Sequence, residues 1–215
     1  MSLTVRDYDF ANNLPPLAIH EDPTGQWSLG VAGTIWDSSY VLARYLEKSL
    51  AQQPITNQSN ILELGAGLGI VGMSLARFLP SANIVLTDKS DRLKLLQHNV
   101  QSNNSTATVA GYDWETPTSA LEEQNWDMIL ISDCIWEPSL HTILLQALHR
   151  VMKPTTVLLM AYEVRNEPVE EQFLDSLRHT YTLQYIPTEE MDEQFQSDDI
   201  RIIRAQAPVG ISEVH

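Results

Sequence analysis

Ile61-Leu62-Glu63-Leu64-Gly65-Ala66-Gly67-Leu68-Gly69-Ile70-Val71-Gly72 carries an apolar strand through an acid into three alternate glycines and then into a helical pattern. Glycines at 65, 67 and 69 let the main chain turn sharply and approach a ligand where a Cβ would collide. The helix that follows presents unpaired N–H groups. The stretch therefore reads as the loop of a nucleotide-type cofactor. A dinucleotide fingerprint needs Gly or Ala where this chain has Ile70, and it sets a pyrophosphate on the helix N-terminus. Glu63, just ahead of the glycines, is expected to repel phosphates and to suit a cationic cofactor. S-adenosylmethionine (SAM), with its sulfonium and amino groups, fits that pattern better than NAD.

Asp88 ends the apolar run Ile84-Val85-Leu86-Thr87, about 20 to 25 residues beyond the glycines, where a carboxylate at a strand tip can accept hydrogen bonds from both ribose hydroxyls. The plainer reading has it cap a helix starting near Ser90.

Around this loop strands and helices alternate. Strands are expected at 61–64, 84–87, 106–110, 128–132 and 157–161, with helices from about Ile70, from Asp91 and over 139–152. Phe173, Leu174 and Leu177 mark a further helix after Pro168. Strands at 182–186 and 200–205 flank the acidic segment 188–199, read as a hairpin-like connection or a loop. Such alternation predicts βαβ crossovers and an α/β fold with a parallel sheet covered on both faces. Ahead of the loop, Tyr40, Val41, Ala43, Tyr45, Leu46 and Leu50 form an amphipathic helix with Asp37 or Ser38 as its cap. Residues 17–20 and 27–31, separated by Pro23 to Gly25, are expected to pair as a small hairpin. The organisation is thus a hairpin extension over 1–35, one cofactor-binding domain over 36–207, and a frayed tail over 208–215.

The chain of 215 residues suits one substantial core. A formal charge of −15, from 13 basic and 28 acidic side chains, argues against a nucleic-acid or anionic-membrane surface and favours a basic partner. Cys134 is the only cysteine, which excludes an internal disulfide and a cysteine-based zinc cluster and suggests a reducing compartment. The six histidines are scattered without ligand spacing, so no metal is expected. No run approaches the about 20 apolar residues of a membrane span.

Gly33-Thr34-Ile35-Trp36-Asp37, the glycine loop, Asp127-Met128-Ile129-Leu130-Ile131-Ser132-Asp133-Cys134-Ile135-Trp136 and Ala161-Tyr162-Glu163-Val164-Arg165 together resemble the seven-β-strand protein lysine methyltransferases. Within that group the chain is most similar to the branch that includes the valosin-containing-protein and Hsp70 lysine methyltransferases. The resemblance implies a Rossmann-like, seven-stranded, mostly parallel sheet and SAM as cofactor. It also implies that Glu63, Gly65 and Gly67 shape the methionine pocket, Asp88 holds the ribose, Trp36 flanks the cofactor, and Asp113-Trp114 sits beside the adenine. Ser132 joins the cofactor set. Asp133 and Trp136 become the catalytic pair, and Tyr162 and Glu163 join them at the substrate. Plainer roles for Trp36 and Trp114 are a hydrophobic staple and a core aromatic.

In one place the chain departs from the family pattern Asp-x-x-Tyr, with Trp136 standing where the phenol is expected. An indole N–H donates but cannot accept, so Trp136 would serve as an aromatic wall beside a cationic side chain, or else pack under the next helix. Asp133 would capture and orient a lysine, although a carboxylate near an ammonium opposes its deprotonation. The expected function is lysine methylation of a protein substrate, a basic or chaperone-like partner, by a monomer of the cytoplasm and secondarily of the nucleus. Arginine methylation, small-molecule methylation and a silent SAM-binding module are the alternatives.

Overall fold

A computed structural model describes residues 3–25, 27, 30–116 and 119–208. Thr4–Tyr8 (β1) and Leu17–Glu21 (β2) form an antiparallel hairpin, with Tyr8 opposite Leu17. The sequence reading had paired 17–20 with 27–31 instead. Gly30–Gly33 is a 3₁₀ turn, and Ser28 and Leu29 lie outside the described residues. The true partner was hard to see because β1 buries only Tyr8, so its apolar alternation is faint. Tyr8, Phe10, Leu17 and Ile19 join the main core, so the hairpin shares that core with the sheet.

Asp37–Ser49 (α1) leads to Asn60–Leu64 (β3) and Ile70–Phe78 (α2), and then to Asn83–Asp88 (β4), Leu93–Ser102 (α3) and Thr108–Gly111 (β5). After the single turn Ser119–Glu122 (α4) come Met128–Ser132 (β6), Pro138–Val151 (α5), Val157–Glu163 (β7), Glu167–Arg178 (α6), Thr182–Tyr185 (β8) and Ile200–Gln206 (β9). Trp36, not Asp37 or Ser38, takes the cap position of α1, and it makes no side-chain cap bond. Seven strands form one sheet in the order β5-β4-β3-β6-β7-β9-β8. Pairing is parallel from β5 through β7, whereas β9 runs antiparallel to both neighbours. This is a Rossmann-like architecture, and β8 and β9 are the hairpin-like pair expected around the acidic segment.

The period-two alternation of strands assigns each side chain to a layer. Ile61, Met128, Leu130, Leu159 and Ala161 pack toward α1 and α2, while Leu62, Leu64, Ile129, Ile131 and Leu158 pack toward α5 and α6. Both faces are apolar because helices cover both, and each fully buried Leu or Ile contributes about 1.5 to 3 kcal/mol.

Candidate active site

β4 and β6 lie on opposite sides of β3, so the chain order reverses there and leaves a crevice beyond the carboxyl ends of the three strands. The glycine loop fills one edge of that crevice. Gly65, Gly67 and Gly69 all have positive φ, at 66°, 53° and 83°. Ala66 N–H donates to the Thr87 carbonyl at 2.8 Å, and Gly67 N–H donates to the Asp88 carboxylate at 3.0 Å. A Cβ on Gly67 would meet nothing within 4 Å, so the backbone there faces open space.

Asp88 is 8% exposed, and its other oxygen accepts Lys89 N–H at 2.8 Å. Burial raises its carboxyl above the usual range, and the Gly67 and Lys89 N–H groups oppose the rise. Each oxygen spends one lone pair on the backbone and keeps one for a ligand. Asp88 thus ties the glycine loop to Lys89, the residue at the N-terminal end of the turn Ser90–Arg92.

A cavity of about 420 Å³ opens between these groups, within the range of small-molecule sites. Trp36, Gly65, Gly67, Asp88, Trp114, Ser132, Asp133 and Trp136, all singled out in the sequence, line it. Trp36 and Trp136 are 36% and 37% exposed. Ser132 shares a 2.9 Å hydrogen bond with Ser39 of α1. Tyr112, Cys134, Lys89 and Arg92 also line the cavity, and the sequence reading missed them. For Lys89, Tyr112 and Cys134, position just past a strand end was the signal on offer, whereas Arg92 ends the turn Ser90–Arg92 that follows β4. Cys134 is no ready nucleophile, since burial first, and then the Asp88, Asp133 and Glu63 carboxyl groups, push its thiol well above the usual range.

Four expected site residues point elsewhere. Glu63 shares the face of Ile61, turns under α2, and accepts Gly72 N–H at 2.8 Å. Burial pushes its carboxyl up to about 8, with Gly72 N–H opposing the rise and Asp88 adding to it. Glu63 shapes the loop from beneath without lining the cavity. Asp113 accepts Glu115 N–H at 3.1 Å within its own turn and does not line the cavity, although Trp114 beside it does. Tyr162 is 1% exposed and packs in the α5–α6 layer, because its place in β7 has the parity of Leu158 and Met160. Glu163 has the opposite parity and lines a second cavity of about 610 Å³, together with Asp7, Asp9, Asp37 and Asp199.

Asp133 is held by Arg165. The guanidinium donates Nη1–H to Oδ1 at 2.8 Å and Nη2–H to Oδ2 at 2.6 Å, and it also reaches Glu163 at 2.6 Å. Its Cζ lies 5.2 Å from the centre of the Trp36 ring. Asp133 has φ of 56°, a left-handed conformation that costs a non-glycine residue about 1 kcal/mol, and its N–H donates to the Ala161 carbonyl at 2.9 Å.

Residues 12–180 match a family described as "Lysine methyltransferase". The chain is 30% identical over 205 residues to "Protein N-lysine methyltransferase METTL21A" of Mus musculus, covering 93% of this chain and 86% of that protein. The Danio rerio protein of the same name is 31% identical over 163 residues, covering 74% and 72%. Among solved structures, the PH0226 protein from Pyrococcus horikoshii OT3 superposes with a TM-score of 0.58 at 13% identity, covering 84% of this chain and 95% of that one. At that identity the likeness is one of fold.

Proposed function

Because the chain belongs to the lysine methyltransferase family, we propose that it transfers a methyl group from SAM to the side-chain amine of a lysine in a protein substrate. SAM is the cofactor. The open backbone of Gly67 beside the half-used carboxylate of Asp88 carries the placement, because a polar hydroxylated ligand fits there and a Cβ would take its space. Asp88 would hold the ribose, Trp114 and Trp36 would supply flat apolar walls, and Gly65 and Gly67 would let the backbone close in. When bound, SAM supplies a sulfonium-activated methyl group, whose C–S electron pair stays on sulfur as the amine lone pair forms the new N–C bond.

The acceptor amine must therefore arrive without its proton, although a free lysine has a pKa of about 10.4. Trp136, at the cavity wall, gives its side chain an aromatic face, a contact worth about 0.5 to 2 kcal/mol while the amine is charged. Most of the acceleration comes from holding amine and methyl donor in line. Arginine methylation is less well supported, because the acidic pair that would grip a guanidinium, Asp133 and Glu163, already binds Arg165.

The partner we infer is a basic protein segment, favoured by the net charge of −15 and by the acidic lining of the larger cavity. No helix among the described residues is long and apolar enough to cross a membrane. The cytoplasm, and secondarily the nucleus, suits a chain whose single cysteine is buried and free, and we propose that it acts as a monomer.

Incubation with tritiated SAM and a cell extract tests the reading. Label is expected in protein, and it is expected to fall with Gly67→Ala. Label confined to small molecules would overturn it.

A further inference from the structure

We propose that Arg165 is a positioning residue of methyl transfer. By pairing with Asp133 it cancels the carboxylate on the cavity side of the acceptor site, so that an arriving lysine gives up its proton there. The inference rests on the lysine methyltransferase reading above and names the residue that makes it chemically workable.

Asp133 lies at the wall of the cavity in which the methyl donor and the acceptor must meet on this reading. It lines the cofactor cavity, and its side chain is only 2% exposed. A bare carboxylate in that place would hold a lysine as its ammonium, since an opposite charge within about 4 to 6 Å favours the charged form. The ammonium has no lone pair to give. The structure answers the difficulty with a two-bond clamp from Arg165.

The placement of the guanidinium divides the charge by side. Arg165 joins Asp133, which lines the cofactor cavity, to Glu163, which lines the larger acidic cavity. One cation between two carboxylates leaves one net negative charge, and the less buried Glu163 bears it toward the acidic side. A lysine is thus attracted at the outer cavity and meets a neutralised pair at the inner one. Arg165 stays charged throughout, since its hydrogen bonds to Asp133 raise its own pKa.

The other charged groups around the cluster are few enough to name. Asp7, Asp9, Asp37 and Asp199, together with the cations Arg6 and Arg44, share the outer cavity with Glu163, so its lining holds five acids against two bases. Asp88, Lys89 and Arg92 from the β4 end, and Glu137 ahead of α5, line the inner one. Among these, Arg165 is the cation bonded directly to Asp133.

Arg165→Gln, Arg165→Lys and the double variant Asp133→Asn/Arg165→Gln test the inference, with Arg178→Gln as a control for the same change of net charge elsewhere. With the protein acceptor labelled from extract, Arg165→Gln should move the rise of kcat to higher pH by about one unit, slowing it about tenfold at pH 7 with recovery in alkali. Arg165→Lys and the double variant should keep the wild-type position of the profile. Independently of turnover, calorimetry with hexalysine and S-adenosylhomocysteine at pH 7 should show about tenfold tighter binding to Arg165→Gln, because the freed carboxylate captures ammonium. Tightening no greater than that of Arg178→Gln would overturn the inference. So would a profile lowered at every pH without displacement, the mark of a merely structural role. If Arg165→Gln does not hold its fold, Asp133→Asn reads the same charge from the other side, and its profile must move to lower pH. An unmoved profile there also overturns the inference. Absence of any labelled protein would instead remove the methylation reading, while the hexalysine measurement still judges Arg165.

Discussion

The Gly67 N–H donates to the Asp88 carboxylate at 3.0 Å, which fixes the tip of β4 to the glycine loop and leaves both carboxylate oxygens with a free lone pair toward the cavity. Asp88→Ala is expected to weaken SAM binding by about 1 to 3 kcal/mol, the usual range for removing a charged partner from buried hydrogen bonds. Calorimetry checks it. Unchanged affinity in a folded variant would mean that Asp88 braces the loop and does not touch the ribose.

Two glycines of the same motif should fail in opposite ways. Gly67→Ala places its side chain in open space, so SAM binding should be weakened while the fold loses only the about 1 kcal/mol of backbone strain that alanine meets at a positive φ. Gly72→Ala would drive a Cβ into Leu86 Cδ2 and to 2.6 Å from Glu63 Oε2, and should destabilise the fold by about 1 to 3 kcal/mol. Thermal melts and SAM titrations of the two variants, run side by side, would show whether ligand space and packing space are separated in this way.

Much of this arrangement was legible in the sequence, because the glycine loop and the apolar strands are local signals. Residues 61–64, 84–87 and 128–132 were read as strands and lie in β3, β4 and β6. What stayed hidden depends on where a side chain turns. Glu63 and Asp113 sit at expected positions but face α2 and a local turn. Tyr162 differs from its neighbour Glu163 only in strand parity, yet parity sends one into the core and the other to the acidic cavity. The clamp of Arg165 on Asp133 joins residues 32 apart at two strand ends, a pairing that no local pattern announces.

Glu63 gives the fold a pH dependence of known sign. Its carboxyl titrates near the ordinary 4.5 when unfolded and at about 8 when folded, so the folded state binds more protons between those values. Its contribution is fully present below about 4.5, diminishes as pH rises toward 8, and changes no further above. Glu63→Gln keeps an acceptor for Gly72 N–H without titrating. Urea melts at pH 5 and pH 8 should show the stability of the variant relative to wild type rising with pH. A constant difference would mean that Glu63 is ionised in the fold.

Trp136 replaces a phenol by an indole and lines the cavity with 37% of its surface exposed. If its flat face is what the acceptor uses, Trp136→Tyr should remain active. Trp136→Ala should raise KM by the equivalent of about 0.5 to 2 kcal/mol. Equal activity of the alanine variant would assign Trp136 to packing alone.

The central claim is that the amine receiving the methyl group belongs to a lysine of a protein. Tandem mass spectrometry of the acceptor labelled in extract tests it most directly, read together with acid hydrolysis and chromatography of the tritiated amino acid. Methyl-lysine is the predicted product. Methylarginine, or label released as a small molecule, would contradict the account.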